Sequence, residues 1–183
     1  MGICRGIPHI LDDLQLVQPT LLFAVPTLYK KVYDGVFNLV NSSSRPKQRL
    51  MREALRIGRA NAAHKNGTVA NNGVAAPPLG FFDRLKFKLL DEIILSKIRG
   101  RFGSKLRVGF VAGAACPKEI VEFMDAVGIP ICEGYGLSET SPVISMNVLN
   151  RRKAGSVGHV LNGVQVWIID PDDEENSLGI VGG

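Results

Sequence analysis

Within residues 132–143, CEGYGLSETSPV, an aromatic ring, two glycines, a hydroxyl and a carboxylate fall inside six positions. Tyr135 offers a ring face to a purine, and Gly134 and Gly136 let the backbone approach a ligand with no side chain between. Ser138 supplies a hydroxyl for a phosphate oxygen. Glu139 is a hard oxygen ligand of the kind Mg²⁺ takes when it also bridges substrate phosphates. These residue types fit an adenine nucleotide with its Mg²⁺. The same string also fits a glycine turn whose Ser and Glu open a helix, so its surroundings must decide.

The elements around it favour a ligand site. Residues 129–133 form a short apolar run behind Gly128, read as a buried parallel strand ending at Gly134. The motif then lies past a strand's carboxyl end, where open α/β sheets bind ligands. Residues 106–112 read as a strand, 117–127 as a helix opened by Pro117, and 130–133 as the next strand. That alternation predicts an α/β fold, a parallel-rich sheet with crossover helices. The helix start at Pro117 points its positive dipole end at the intervening loop, which favours phosphate or carboxylate.

Upstream, residues 10–17 read as the end of a helix, 20–25 as a buried strand, and 27–41 as a helix opened by Pro26. A break at 41–46 precedes a basic helix from about residue 47 to 65, then a Gly/Asn/Ala/Pro loop at 66–80. Residues 81–98 read as a helix with two apolar stripes, Phe82, Leu85, Leu89 and Ile93 on one and Phe87, Leu90, Ile94 and Ile98 on the other. Two stripes favour a covering helix packed on the sheet. The alternative is a basic amphipathic helix in peripheral contact with an anionic membrane. Residues 164–170 give a last strand before Pro171.

Charge is uneven. Residues 30–107 hold 17 Lys and Arg against 5 Asp and Glu, a cationic surface, whereas residues 170–175 carry five acids in six positions, a solvated turn. The basic stretch lacks a nucleic-acid recognition motif and a stacking platform, so no nucleic-acid partner is expected. No run approaches the roughly 18 apolar residues of a membrane span, and the first residues form no signal peptide. Cys4, Cys116 and Cys132 lack metal-ligand spacing and fit a reducing compartment. Cys116 is read as a small buried residue lining a loop, against a reactive thiol at a helix start.

YGLSETSP resembles the signature of the adenylate-forming enzymes, the superfamily of acyl-CoA synthetases, luciferases and peptide-synthetase adenylation domains. Two more segments are similar to that family in the same order: LRVGFVAGAACPKE at 106–119 and AGSVGHVLNGVQVWIID at 154–170. QPTLLFAVPTLYKKVYDGVFN at 18–38 and the basic interval that follows resemble the long-chain fatty acyl-CoA synthetases. The resemblance implies that residues 1–183 are part of an AMP-binding domain, a central fragment of the large N-terminal domain of such an enzyme. Residues 44–104 would be a basic helical insertion and 105–170 the nucleotide and acyl-binding core. The phosphate-cradling loop expected upstream, and the ribose-binding Asp and Lys-bearing domain expected downstream, are not in the sequence.

By that resemblance Gly113, Ala114 and Ala115 would leave room for adenine and the acyl chain. Glu133 and Gly134 would form the backbone beside the adenine, and Tyr135, Gly136 and Ser138 would complete the nucleotide site. Ser138 and Glu139 would be catalytic, with Glu139 the Mg²⁺ ligand. Ser138 stands where many members have Thr, the small loop is one residue short before Pro117, and residues 151–153 and His159 receive no role. ATP, AMP, CoA and a long-chain fatty acid are the implied ligands, in the cytoplasm or on an intracellular membrane surface. A noncatalytic truncated paralogue that binds nucleotide or lipid, and a ligase of other acid specificity, stay open beside the fatty acid–CoA ligase.

Overall fold

The computed structural model describes residues 5–65, 77–149, 152–170 and 173–181. Cys4, the expected loop as far as residue 76, Arg151 and the last two residues lie outside them. Three parallel strands form the centre: β1 (Leu21–Ala24), β2 (Val108–Val111) and β3 (Ile131–Gly136). Two antiparallel strands, β4 (Val143–Met146) and β5 (His159–Val160), extend the sheet in the order β1-β2-β3-β4-β5. A separate hairpin pairs β6 (Val166–Asp170) with β7 (Asp173–Val181), so the acidic segment forms its turn and second-strand start.

The helices follow from local signals. Helix α1 (Ile10–Val17) ends at Gln18, which takes a left-handed conformation. Pro26 fits the first turn of α2 (Pro26–Asn41), where its missing N–H costs no hydrogen bond. Helix α3 (Arg45–Lys65) follows a three-residue break. Residues 81–100 are one helical rod, α4 (Phe81–Leu90), a π turn at Asp91–Leu95, and α5 (Ser96–Gly100). Helix α6 (Lys118–Val127) stops at Gly128, whose φ of 91° is the left-handed cap that glycine supplies at least cost. Helices α2 to α5 therefore all belong to the crossover from β1 to β2, and α6 is the crossover from β2 to β3.

The core lies between the parallel strands and these helices. Tyr29 is fully buried and its hydroxyl donates to the Leu22 carbonyl at 3.3 Å. Gly109 makes this possible, since a Cβ there would sit 2.5 Å from the Tyr29 hydroxyl and 2.6 Å from Ile131 Cδ1. Phe123 of α6 meets Tyr33 edge-on at 5.1 Å and Phe37 at 5.8 Å. Helices α3 and α6 touch backbone to backbone: a Cβ on Gly58 would lie 2.3 Å from the Ala126 carbonyl oxygen.

Three expectations need correction. Residues 20–25 do not form a buried strand, because β1 is the sheet edge and exposes Leu21, Phe23 and Val25, with Phe23 stacked on Phe110 at 4.7 Å. Strand β3 runs on to Gly136 instead of ending at Gly134, because β4 folds back on its last three residues with a register break at Tyr135/Gly136. The two stripes of residues 81–98 do not both pack. Leu90 and Ile98 are buried with Phe87 and Ile94 against the core, while Phe82, Leu85, Leu89 and Ile93 face solvent.

Two helical glycines should respond in opposite directions to alanine. Gly58→Ala gains helix propensity but collides with the α6 backbone, and should lose about 1–3 kcal/mol in urea unfolding. Gly35→Ala in α2 meets nothing within 4 Å and should gain up to about 1 kcal/mol. Equal effects at both positions would contradict the close α3–α6 contact.

Candidate functional site

Strands β2 and β3 are neighbours and parallel, so their carboxyl ends open on the same side of the sheet. Val111 pairs with Glu133, which sets the small-residue loop after β2 beside the Gly134–Tyr135–Gly136 end of β3. Gly113, Ala114 and Ala115 are exposed in that loop. Gly113 has φ 84° and open space where a Cβ would be. Tyr135 is 46% exposed, and Ser138 and Glu139 are exposed on a single 3₁₀ turn, Ser138–Thr140. The sequence-predicted residues thus come together at one sheet end, except that Glu133 points its side chain inward.

The turn is held by Thr140. Its hydroxyl accepts the Leu137 N–H at 3.2 Å and donates to the Leu137 carbonyl at 2.9 Å. Ser141 follows in the left-handed region at φ 61°. Gly136 has an internal reason to be glycine: a Cβ would lie 1.6 Å from the Pro142 carbonyl oxygen, so the returning chain occupies that space. Gly134 is different, with its nearest neighbour at an ordinary 3.6 Å.

Beneath the exposed residues lies a polar base. Glu133 is buried and its carboxylate accepts the Gly155 N–H at 3.1 Å. Asn147 is buried, takes the Glu133 carbonyl through its own N–H at 2.8 Å, donates from its side chain to the Ser156 carbonyl, and accepts the Lys153 N–H at 3.2 Å. Arg152 is buried, donating to the Ile131 carbonyl at 2.9 Å and pairing with Asp125 at 2.9 Å. Gly158, at φ 80°, lies so close to Met146 and Asn147 that a Cβ would come within 2.3 Å of their backbone. The 152–158 segment is thereby fastened to β3 and β4.

Asn147 and Arg152 were not legible as site supports. Arg152 sits in an Arg-Arg-Lys run that reads as solvated, and Asn147 carries no distinguishing spacing. Burial raises the Asp125 pKa against the opposing pull of Arg152, and raises that of Glu133 against the Gly155 N–H. Burial, then the nearby Glu133 and Glu119 carboxylates, pushes the Cys116 thiol up to about 11, the condition of an inert buried thiol.

Glu139 makes no side-chain hydrogen bond or ion pair among the described residues, and neither does the Ser138 hydroxyl. A free carboxylate beside a free hydroxyl suits Mg²⁺ bound by one carboxylate and substrate phosphates. No group of three or more His, Cys, Asp or Glu forms an all-protein metal cage among the described residues.

The AMP-binding enzyme family matches residues 2–182. The chain is 27% identical over 186 residues to a chloroplastic long-chain fatty acid–acyl-carrier-protein ligase of Arabidopsis thaliana, covering 91% of this chain and 25% of that protein. It is 34% identical over 164 residues to the peroxisomal long chain acyl-CoA synthetase 6 of the same plant, covering 88% and 20%. A solved anthranilate CoA ligase, AuaEII with anthranoyl-AMP, overlaps 96% of this chain and 26% of its own at 16% identity and a TM-score of 0.46. The chain spans a quarter or less of the length of these two curated relatives.

The raised pKa of Glu133 fixes a pH dependence. Its contribution to stability is fully present below the unfolded carboxylate pKa and is lost as pH rises through the higher folded value. Glu133→Gln, whose amide oxygen still accepts from Gly155, should therefore melt above the parent at about pH 8 and lose that advantage at about pH 4. Melting curves at both pH values check this, and a difference independent of pH would refute it.

Proposed function

We propose that this chain, which belongs to the AMP-binding enzyme family, is the central part of the nucleotide-binding domain of a long-chain fatty acid–CoA ligase. The observation that carries the reading is the meeting of the small-residue loop with Tyr135, Ser138 and Glu139 at the carboxyl ends of β2 and β3. The fatty-acid substrate is favoured by relatives named for long-chain fatty acids and acyl-CoA synthesis. In this reading residues 44–104 are the helical insertion and 105–170 the nucleotide and acyl-binding core.

The reaction has two displacements. A fatty carboxylate oxygen attacks the α-phosphorus of ATP and pyrophosphate leaves, giving an acyl adenylate. The CoA thiol then attacks the acyl carbonyl and AMP leaves, giving the thioester. The first step needs alignment and charge neutralisation more than a strong base. Tyr135 lays its ring on the adenine, with the backbone of Glu133 and Gly134 alongside. Gly113, Ala114 and Ala115 keep the facing wall shallow enough for adenine and the start of the acyl chain. Ser138 donates to a phosphate oxygen. Glu139 holds Mg²⁺, which neutralises phosphate charge when bound.

Glu139→Ala in the full-length protein should cut adenylate formation by about 10²–10³-fold, measured as fatty-acid-dependent pyrophosphate release, with the circular dichroism spectrum unchanged. Unchanged release would remove Glu139 from the reaction. Fatty acids of several lengths and an aromatic acid, run side by side, separate the long-chain reading from another acid specificity.

A further inference from the structure

The solvent-facing stripe of the 81–100 rod begins with two adjacent phenylalanines. Phe81 and Phe82 are 78% and 77% exposed with their rings edge-on at 5.8 Å. Leu85, Leu89 and Ile93 continue the stripe, exposed to a lesser degree. Ile93 also lines a cleft of about 250 Å³, whose walls include Leu39, Met51 and Ile94 and whose charged residues are Lys97 and Arg101. The stripe thus leads from the phenylalanines into an apolar recess, and the π turn places Ile93 and Ile94 on its wall.

The charges around this face are of one dominant sign. Lys97 and Arg101 are exposed and make no ion pair among the described residues. At 100° per residue Lys86 and Lys88 flank the stripe on opposite sides, both exposed. Of the nearby acids, Asp91 is taken by Arg99 at 2.6 and 2.7 Å, Asp83 lies 3.7 Å from Arg56, and Glu92 alone is exposed beside the stripe. No acid lines the cleft. A protein partner's interface would be depleted of lysine, whereas an apolar stripe edged by cations suits an anionic bilayer. No helix among the described residues is long and apolar enough to cross a membrane, so the contact would lie in the interface plane.

We infer that this face docks on an anionic lipid bilayer, Phe81, Phe82, Leu85 and Leu89 entering the acyl boundary while Lys97 and Arg101 take headgroup phosphates at the mouth of the cleft. The inference does not rest on the ligase reading. It assigns the exposed stripe an occupant on the far side of the rod from the core that buries Leu90 and Ile98.

The test floats the full-length protein with vesicles of phosphatidylcholine alone and with phosphatidylserine added. Flotation is expected only with phosphatidylserine and should fall as salt rises. Joint Phe82→Ser and Leu89→Ser changes should abolish it, and joint Lys97→Glu and Arg101→Glu changes should weaken it by about tenfold or more. All four residues are exposed, so both variants should keep the parent circular dichroism spectrum and its pyrophosphate release with fatty acid supplied in solution. Equal flotation on both vesicle types, flotation that neither pair weakens, or none at all would overturn the proposal. A protein that ignores vesicles and runs as a dimer would assign the stripe to a second copy. Flotation without adenylate formation would sink the ligase reading and leave this one standing.

Discussion

A buried guanidinium holds the centre of this structure. Arg152 reaches from the segment after β4 to the carbonyl of Ile131 at the start of β3 and to Asp125 near the end of α6. A charge taken out of water is tolerated only with its partners in place, so these separate pieces of chain must settle together or not at all. Asp125 is under the same constraint from the other side, its carboxylate raised by burial and drawn back by Arg152. Glu133 and Asn147 extend this polar layer toward β4, where each hydrogen bond ties a strand to the 152–158 segment.

This layer separates two kinds of residue within a few positions of chain. Glu133, Asn147 and Arg152 are buried and spend their polar groups on the protein itself. Tyr135, Ser138 and Glu139 are exposed and leave theirs available. A ligand site profits from that division, because groups mounted on a satisfied and rigid base lose little freedom when they engage. Thr140 does similar work on the outside, spending its hydroxyl on the turn that presents Ser138 and Glu139.

Much of the fold was legible because glycine and proline punctuate it. Pro26, Pro117 and Gly128 mark helix ends where their backbone preferences match the observed conformations, and the strand–helix–strand order from residue 106 gave the parallel pairing. What escaped depends on tertiary neighbours. Nothing local says that β4 returns along β3, that β1 is an edge, or which stripe of the 81–100 rod meets the core. Arg152 is identical in local pattern to a solvated arginine. Gly136 shows the subtler failure: its need for glycine was visible, but the space is filled by the chain's own Pro142 carbonyl.

The π turn at Asp91–Leu95 has a consequence for how this rod tolerates change in length. A π turn carries one residue more than the α turn it replaces, and each residue of an α-helix advances the azimuth by about 100°. Losing a single residue there would restore an ordinary helix and swing everything downstream round by about that angle. Ile98 would leave the core and Arg99 would turn away from the Val127 carbonyl it now reaches at 2.8 Å. The extra residue therefore acts as a phase setting. It allows the first half of the rod to show apolar side chains outward while the second half still delivers an isoleucine and an arginine to α6.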